Sequence, residues 1–212
     1  MTLIEILLGC LTVVVTHYFM SFCQTLFHQH LGHRRIGRQF FRNHVYFHHV
    51  YYSKDRMVSE RYLADEGNNT PFFLIPILAV VAVSYLFMPF HLFVVQLVTM
   101  AASFGAHVHL DKQYHVAGSW LGRFSWFRRK QRLHFVHHRH ANANFAVIDY
   151  FWDRLLGTYR SADGDDGGQG WVESPAAAGW SKRLVGTLAL TAAGGAFSQL
   201  RSRRPAARGP SG

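Results

Sequence analysis

Residues 71–115 read PFFLIPILAVVAVSYLFMPFHLFVVQLVTMAASFGAHVHLDKQYH. From Pro71 to Ala106 this stretch holds no Asp, Glu, Lys or Arg across 36 residues, and its last nine residues supply His107, His109, Asp111 and His115. One helix that long would overshoot a hydrocarbon core of about 30 Å. Pro89 offers a turn near the middle, which predicts a hairpin of two spans over about 71–88 and 89–106. A hairpin returns the chain to the side it left, so the polar segments before and after it share one face.

An earlier apolar run, about residues 3–27, is broken only by Glu5 and His17 and is also long enough to cross a bilayer. It lacks the basic leader and small-residue cleavage site of a secretory signal, which predicts a retained helix. Arg34, Arg35, Arg38 and Arg42 follow it, and the positive-inside tendency turns that end toward the cytoplasm. The fold class expected is therefore all-α: an integral membrane helical bundle with a cytoplasmic histidine-rich helical cap, occupying residues 1–160. Beyond it, residues 161–170 (SADGDDGGQG) read as a flexible loop, 184–200 as a possible interfacial helix, and the basic end as a tail of disordered composition.

The net charge of +10 suits anionic headgroups. The basic residues alternate with histidines and flank apolar runs, which argues against nucleic acid as a partner. Cys10 and Cys23 stand about 20 Å apart on one helix, beyond disulfide reach, and read as small apolar residues.

Thirteen of the 15 histidines fall in four clusters beside the apolar runs. They are His28, His30 and His33; His44, His48 and His49; His107, His109 and His115; and His134, His137, His138 and His140. On a helix His134, His137 and His138 share one face, and so do His44 and His48, with His49 turned about 100° away. His28 and His33 lie about 140° apart on an ideal helix, so either they serve different metals or the helix is distorted there. His107, Asp111 and His115 form one stripe, with His109 off it. His17 and His91, solitary in apolar runs, read as packed or polar-paired helix residues. Phe40-Phe41 and Tyr46-Phe47 read as packing or interface anchoring.

Imidazole suits zinc, copper, iron and nickel. A structural zinc site would draw on thiolates, which these clusters lack. Some ten clustered imidazoles are too many for one ion; two ions with several nitrogens each, and room for a small molecule, fit the count better. Soluble two-iron bundles use Glu-x-x-His pairs, and none is present.

The order HxxxxH (His28, His33), HxxxHH (His44, His48, His49) and HxxHH (His134, His137, His138) around an apolar hairpin resembles the fatty acid hydroxylase and sterol desaturase superfamily. The ending strengthens the resemblance: Asn144-Phe145, then Phe151-Trp152-Asp153-Arg154, then Gly157-Thr158-Tyr159. The likeness covers about residues 20–160. It implies two iron ions (zinc able to replace them in purified protein) on the cytoplasmic side of a membrane bundle, activating O2 to hydroxylate or desaturate a lipid. It further implies His28, His33, His44, His48, His49, His134, His137 and His138 as metal ligands. The family's internal histidine pair meets His107, Asp111 and His115 here, with His107 and His115 the expected imidazole ligands. His30, His109, Asp111, His140, Asn144 and Asp153 are expected as neighbours of the ligands or as further ligands. The second box departs from the family in having three residues, where many members have two, between its first histidines.

No haem or flavin motif is visible, so electrons would come from an electron-transfer protein or reductase. The lipid substrate would enter from the bilayer. Two rival readings are a zinc- or copper-binding or metal-transport protein without redox chemistry, and a haem carrier using His17 and His91. Against transport, no polar residues line the spans.

Overall fold

Thr2 starts the first helix. Its Oγ1 accepts the Glu5 N–H at 3.2 Å while Glu5 Oε2 accepts the Thr2 N–H at 2.7 Å, a reciprocal cap that satisfies two orphan donors. In the computed structural model, which describes residues 2–64 and 69–163, every regular element is helical. α1 (Leu3–Phe27) runs on into a π-helical turn, His28–Gly32, followed by a 3₁₀ turn at Arg35–Gly37. α2 (Gln39–Arg42) likewise runs on into a π-helical turn, Asn43–His49. Then come α3 (Thr70–Phe87), α4 (Phe90–Tyr114), a 3₁₀ turn at Trp120–Arg123, α5 (Ser125–Arg139) and α6 (Phe151–Leu155). The β-type contact among the described residues is a parallel bridge between Ser59 and Val116, made by Ser59 N–H to His115 O (3.0 Å) and Ala117 N–H to Ser59 O (2.9 Å).

The turn expected at Pro89 lies between α3 and α4, where Met88 and Pro89 are non-helical. The second arm does not stop at residue 106. Residues 107–114 contain neither Pro nor Gly, so α4 continues unbroken and carries His107, His109 and Asp111 on the same helix as the apolar run.

α1 with its π turn (Leu3–Gly32) and α4 (Phe90–Tyr114) are each long and apolar enough to cross a membrane, while the apolar part of α3 is shorter. Their outward side chains are large and apolar: Leu7 is 59 % exposed, Leu11 57 %, Phe87 81 % and Phe90 73 %. An apolar sheath of that extent is unusual on a protein surrounded by water, and it suggests a membrane protein. Where α1 turns inward it does so with small and polar residues, Thr16, Ser21, Gln24 and Thr25 beside Met20. His17, half-buried beside them, pairs its Nδ1 with Ser103 Oγ of α4 at 2.6 Å and places Nε2 3.2 Å from Asp149 Oδ2. His91 is exposed.

The segment after α4 folds over the helix ends. Leu110, Tyr114, Leu121, Phe127, Val147 and Ile148 form one buried cluster, and Leu133, Ala146 and Tyr150 another. Phe127 and Leu133 tie α5 into these clusters, and its His134, His137 and His138 are buried. The sequence-based readings for residues 164–212, the candidate helix at 184–200 among them, lie outside the described residues.

The turn between the first two histidine clusters depends on Gly37, where an added Cβ would stand 1.9 Å from the Leu31 carbonyl oxygen. Backbone must move to admit a methyl group. Gly37→Ala is expected to cost about 1–3 kcal/mol, read as a lower unfolding temperature of the detergent-solubilised chain; an unchanged midpoint would contradict this packing.

Candidate metal centre

Nine buried or half-buried imidazoles form two adjoining groups. The first gathers His28 and His33 from the end of α1, His44 and His49 from the turn after α2, and His137 from α5. The second gathers His48, His115 just past α4, and His134 and His138 from α5. In each group the nitrogens lie within 4.8 Å of one another. The groups touch: the His49 and His138 rings are 4.3 Å apart between centroids, and His44 and His48 stack at 5.1 Å.

The π turns explain the membership. A turn closed by i→i+5 bonds sets residues five apart one above the other, which an α turn does not. His28 and His33 thereby meet, Nε2 to Nε2 at 3.3 Å, so the distorted helix and not separate metals accounts for their spacing. His44 pairs with His49 at 3.0 Å, and although the His44 and His48 rings stack on one face as helical spacing predicts, His48 goes to the other group. The extra residue of the second box is absorbed in this wider turn. α5 stays α-helical: His134 and His138, four apart, share a group at 3.2 Å, while His137 points across to His33 at 3.1 Å.

Backbone carbonyls hold the rings from behind. His28 Nδ1 lies 2.5 Å from Phe145 O, His137 Nδ1 2.7 Å from Ala143 O, His138 Nδ1 2.7 Å from Tyr52 O, and His115 Nδ1 2.7 Å from Met57 O. A carbonyl can only accept, so in each ring Nδ1 carries the hydrogen and Nε2 presents a lone pair. His48 Nδ1 is 3.1 Å from the Tyr62 hydroxyl. His134 is the exception, its Nδ1 buried without a partner.

The consequence is a concentration of lone pairs. His28 and His44 bring Nε2 to 2.8 Å, His115 and His134 to 3.0 Å, His138 and His48 to 3.1 Å. An Nε2 carries at most one hydrogen, yet those of His33 and His44 each face three others and that of His134 faces two, so hydrogen bonds cannot satisfy every contact whereas a shared cation can. Nitrogens about 2.1 Å from one ion and at right angles are about 3.0 Å apart, so the spacing matches a shared ion. The donor set therefore fits two metal ions, one per group.

Burial, and then the neighbouring histidines, push the titration of these rings down. His33 falls to about 2 and His49 to about 3, and His44, His48, His134, His137 and His138 all lie well below the usual imidazole range. His115 falls to about 3 through burial, opposed by its bond to Met57 O. At neutral pH the rings are uncharged, the form that binds a metal.

Nine of the ten imidazoles expected as ligands are thus brought together. His107 stands outside both groups. It lines a pocket of about 190 Å³ that also touches His28, His44 and His48 and is otherwise walled by residues such as Phe40, Phe73, Phe104 and Val147. The tidy stripe of His107, Asp111 and His115 does not form, because α4 ends at Tyr114 and His115 leaves it. Asp111 instead sits at the rim of the second group, Oδ1 3.6 Å from His134 Nε2 and Oδ2 4.0 Å from His48 Nδ1. His30, His109 and His140 belong to neither group. Phe40, read as packing, is both buried and a wall of the pocket.

Asn144 and Asp153 are buried supports. Asn144, at φ 55°, donates Nδ2 to Leu133 O (3.1 Å) and Arg160 O (2.9 Å) and accepts the Arg160 N–H. Asp153 accepts the Phe145 N–H (2.7 Å), the Ala146 N–H (2.9 Å) and the Thr158 hydroxyl (2.7 Å), and so fixes the peptide whose carbonyl holds His28. Sequence reasoning missed Tyr52, which stacks on His115 at 4.0 Å and supplies the carbonyl for His138. A backbone acceptor leaves no side-chain signature that could have revealed it.

The family model described as fatty acid hydroxylase matches residues 13–158, a range that contains every residue of both groups. No curated protein and no solved structure matches the chain.

Unfolding returns each ring to an ordinary pKa near 6.5, so below that pH the unfolded chain takes up protons that the folded chain refuses. The metal-free protein is expected to lose stability steadily as pH falls from about 6.5 and to show a flat unfolding midpoint above about 7.5. A midpoint that stayed level or rose below 6.5 would mean the rings are not buried and neutral.

Proposed function

This chain belongs to the fatty acid hydroxylase family, and on that footing we propose that it is a membrane two-iron oxygenase that uses O2 and external electrons to hydroxylate or desaturate a lipid. Membership already suggests an oxidoreductase acting on lipids. The observation that carries the finer reading is the pair of adjoining groups of neutral imidazoles, each with its Nε2 atoms converging, beside a pocket that they share with an aromatic and aliphatic wall.

Two bound iron ions would supply reduction of O2 and removal of hydrogen from an unactivated C–H bond, chemistry beyond any side chain. The chain's own part is positional. Carbonyls of Tyr52, Met57, Ala143 and Phe145 keep Nδ1 of His138, His115, His137 and His28 protonated and those four rings aimed. Nine neutral donors leave the positive charge of the ions largely uncompensated, and Asp111 alone adds a carboxylate, on the side of His134. The two ions would therefore sit in unequal fields.

The pocket of about 190 Å³ is smaller than the roughly 300–1,000 Å³ that encloses a whole small ligand. It suits a short reacting segment of a longer chain whose remainder stays in the bilayer. Phe73 of α3 and Phe104 of α4 lie on its wall, which makes the cleft between these helices the natural entry for a lipid tail. His107, on the same wall, faces the substrate space and not an ion. The cytoplasmic orientation of this centre follows from Arg34, Arg35, Arg38 and Arg42 just after α1.

Comparative lipid mass spectrometry of cells with and without the chain is expected to reveal one lipid class that gains an oxygen atom or loses two hydrogens, only in the presence of O2. His48→Ala, His134→Ala and His138→Ala should each abolish that product, a drop of at least about 10²-fold. Metal bound without O2 uptake, or full product in all three variants, would return the chain to a non-redox metal-binding role.

A further inference from the structure

A second groove, of about 710 Å³, lies on the far side of α5 from the imidazoles. Its polar lining is dominated by Arg129, Lys130 and Arg132 of α5 and Arg154 of α6, with Trp126 and Tyr150 among its aromatic walls. The acid that faces it is Asp149, and Asp149 is already 3.2 Å from His17 Nε2. Lys130 Nζ donates to Ile148 O, and the Arg154 guanidinium lies 3.7 Å over the Tyr159 ring, which holds it in place. The side chains of Arg129 and Arg132 are exposed and have no hydrogen-bond or ion-pair partner among the described residues.

The depth of this groove identifies its ligand. Two residues of its wall rest on α1 well inside its apolar length, Asp149 meeting His17 and Phe151 packing on Tyr18 at 5.4 Å, and His17 in turn bonds Ser103 of α4. From His17 back to Leu3 α1 measures about 21 Å, and from Ser103 back to Phe90 α4 measures about 20 Å. Both are less than the roughly 30 Å of a hydrocarbon core, so helices that cross a bilayer carry the floor of the groove to membrane depth. The exposed residues around it agree, with Trp126 46 %, Phe151 44 % and Leu155 71 % accessible. Aromatic and aliphatic side chains flanked by arginine are the composition of an interfacial surface.

We infer that this groove binds the phosphate of an anionic phospholipid in the leaflet on the histidine side, with Arg129, Arg132 and Arg154 as the phosphate donors and Trp126, Phe151 and Leu155 seated among the acyl chains. Guanidinium forks match phosphate oxygens in pairs. The groove is separate from the oxidation pocket, so the bound lipid is an anchor for α5 and α6 and not the substrate. The inference rests on the reading that α1 and α4 cross a bilayer.

The test uses the full chain in nanodiscs of zwitterionic phospholipid containing a minor fraction of brominated lipid, either anionic phosphatidylglycerol or zwitterionic phosphatidylcholine. Quenching of Trp126 is isolated as the difference between the parent chain and Trp126→Phe. Brominated phosphatidylglycerol is expected to quench Trp126 in preference to brominated phosphatidylcholine, by roughly five-fold for each cation engaged, and added salt should weaken the preference. The triple variant Arg129→Gln, Arg132→Gln, Arg154→Gln should lose it while keeping the metal content of the parent. Equal quenching by both lipids, or a preference that survives in the triple variant, overturns the proposal and leaves the bilayer reading intact. Release of the chain from membranes by alkaline carbonate would overturn the bilayer reading itself, and the proposal with it.

Discussion

Facing lone pairs govern this molecule. Nine imidazoles present Nε2 atoms to one another at 2.8–3.3 Å in a volume largely closed to water. Protonation would relieve the confrontation in solution, but burial and the neighbouring rings oppose a positive charge on any one of them. A dense cluster that resists protons and has more facing nitrogens than hydrogens to share among them is stabilised by metal cations. The rest of the cap can be understood as the scaffolding that keeps the rings from turning away.

That scaffolding is mostly backbone. Carbonyls from the loop before α6 hold His28 and His137, and carbonyls from the segment after the second box hold His115 and His138. Asp153 and Asn144 stiffen the first of these loops, and the Ser59–Val116 bridge stiffens the second. The chain thus links its family-like ending to its first histidine through one peptide: Asp153 accepts the Ala146 N–H, and the Phe145 carbonyl of the same peptide accepts from His28. Two π turns then adjust the angular spacing that ordinary helices cannot provide.

Much of this was legible in the sequence, and what was hidden had physical reasons. The charge-free run, Pro89 and the histidine clusters sufficed for long apolar helices, the turn at Pro89 and a gathering of imidazoles fit for metal, because hydropathy and ligand type are properties of the residues. The assignment of rings to ions was not legible. It depends on which rings of other elements stand opposite: His44 and His48 stack on one face, yet His44 meets His28 and His33 while His48 meets His138. The extra residue in the second box was the trace of the π turn, visible but ambiguous. His107 misled because α-helical periodicity was carried through His115, which lies one residue past the end of α4. The carbonyl acceptors and the stacking of Tyr52 on His115 arise only from long-range folding.

The apolar exterior, the pocket beside the imidazoles and the basic groove belong to one arrangement. α1 and α4 bring an apolar exterior to the metal-side cap, α3 and α4 border the space beside His28, His44 and His48, and α5 turns histidines inward and arginines outward. The account stands on the two cations. Metal analysis of the purified chain, combined with X-ray absorption at the metal edge, tests this most directly. Two ions per chain, each surrounded by nitrogen and oxygen with the outer-shell pattern of several imidazoles, is the predicted result. One ion or none per chain, or sulfur in the coordination sphere, would contradict it.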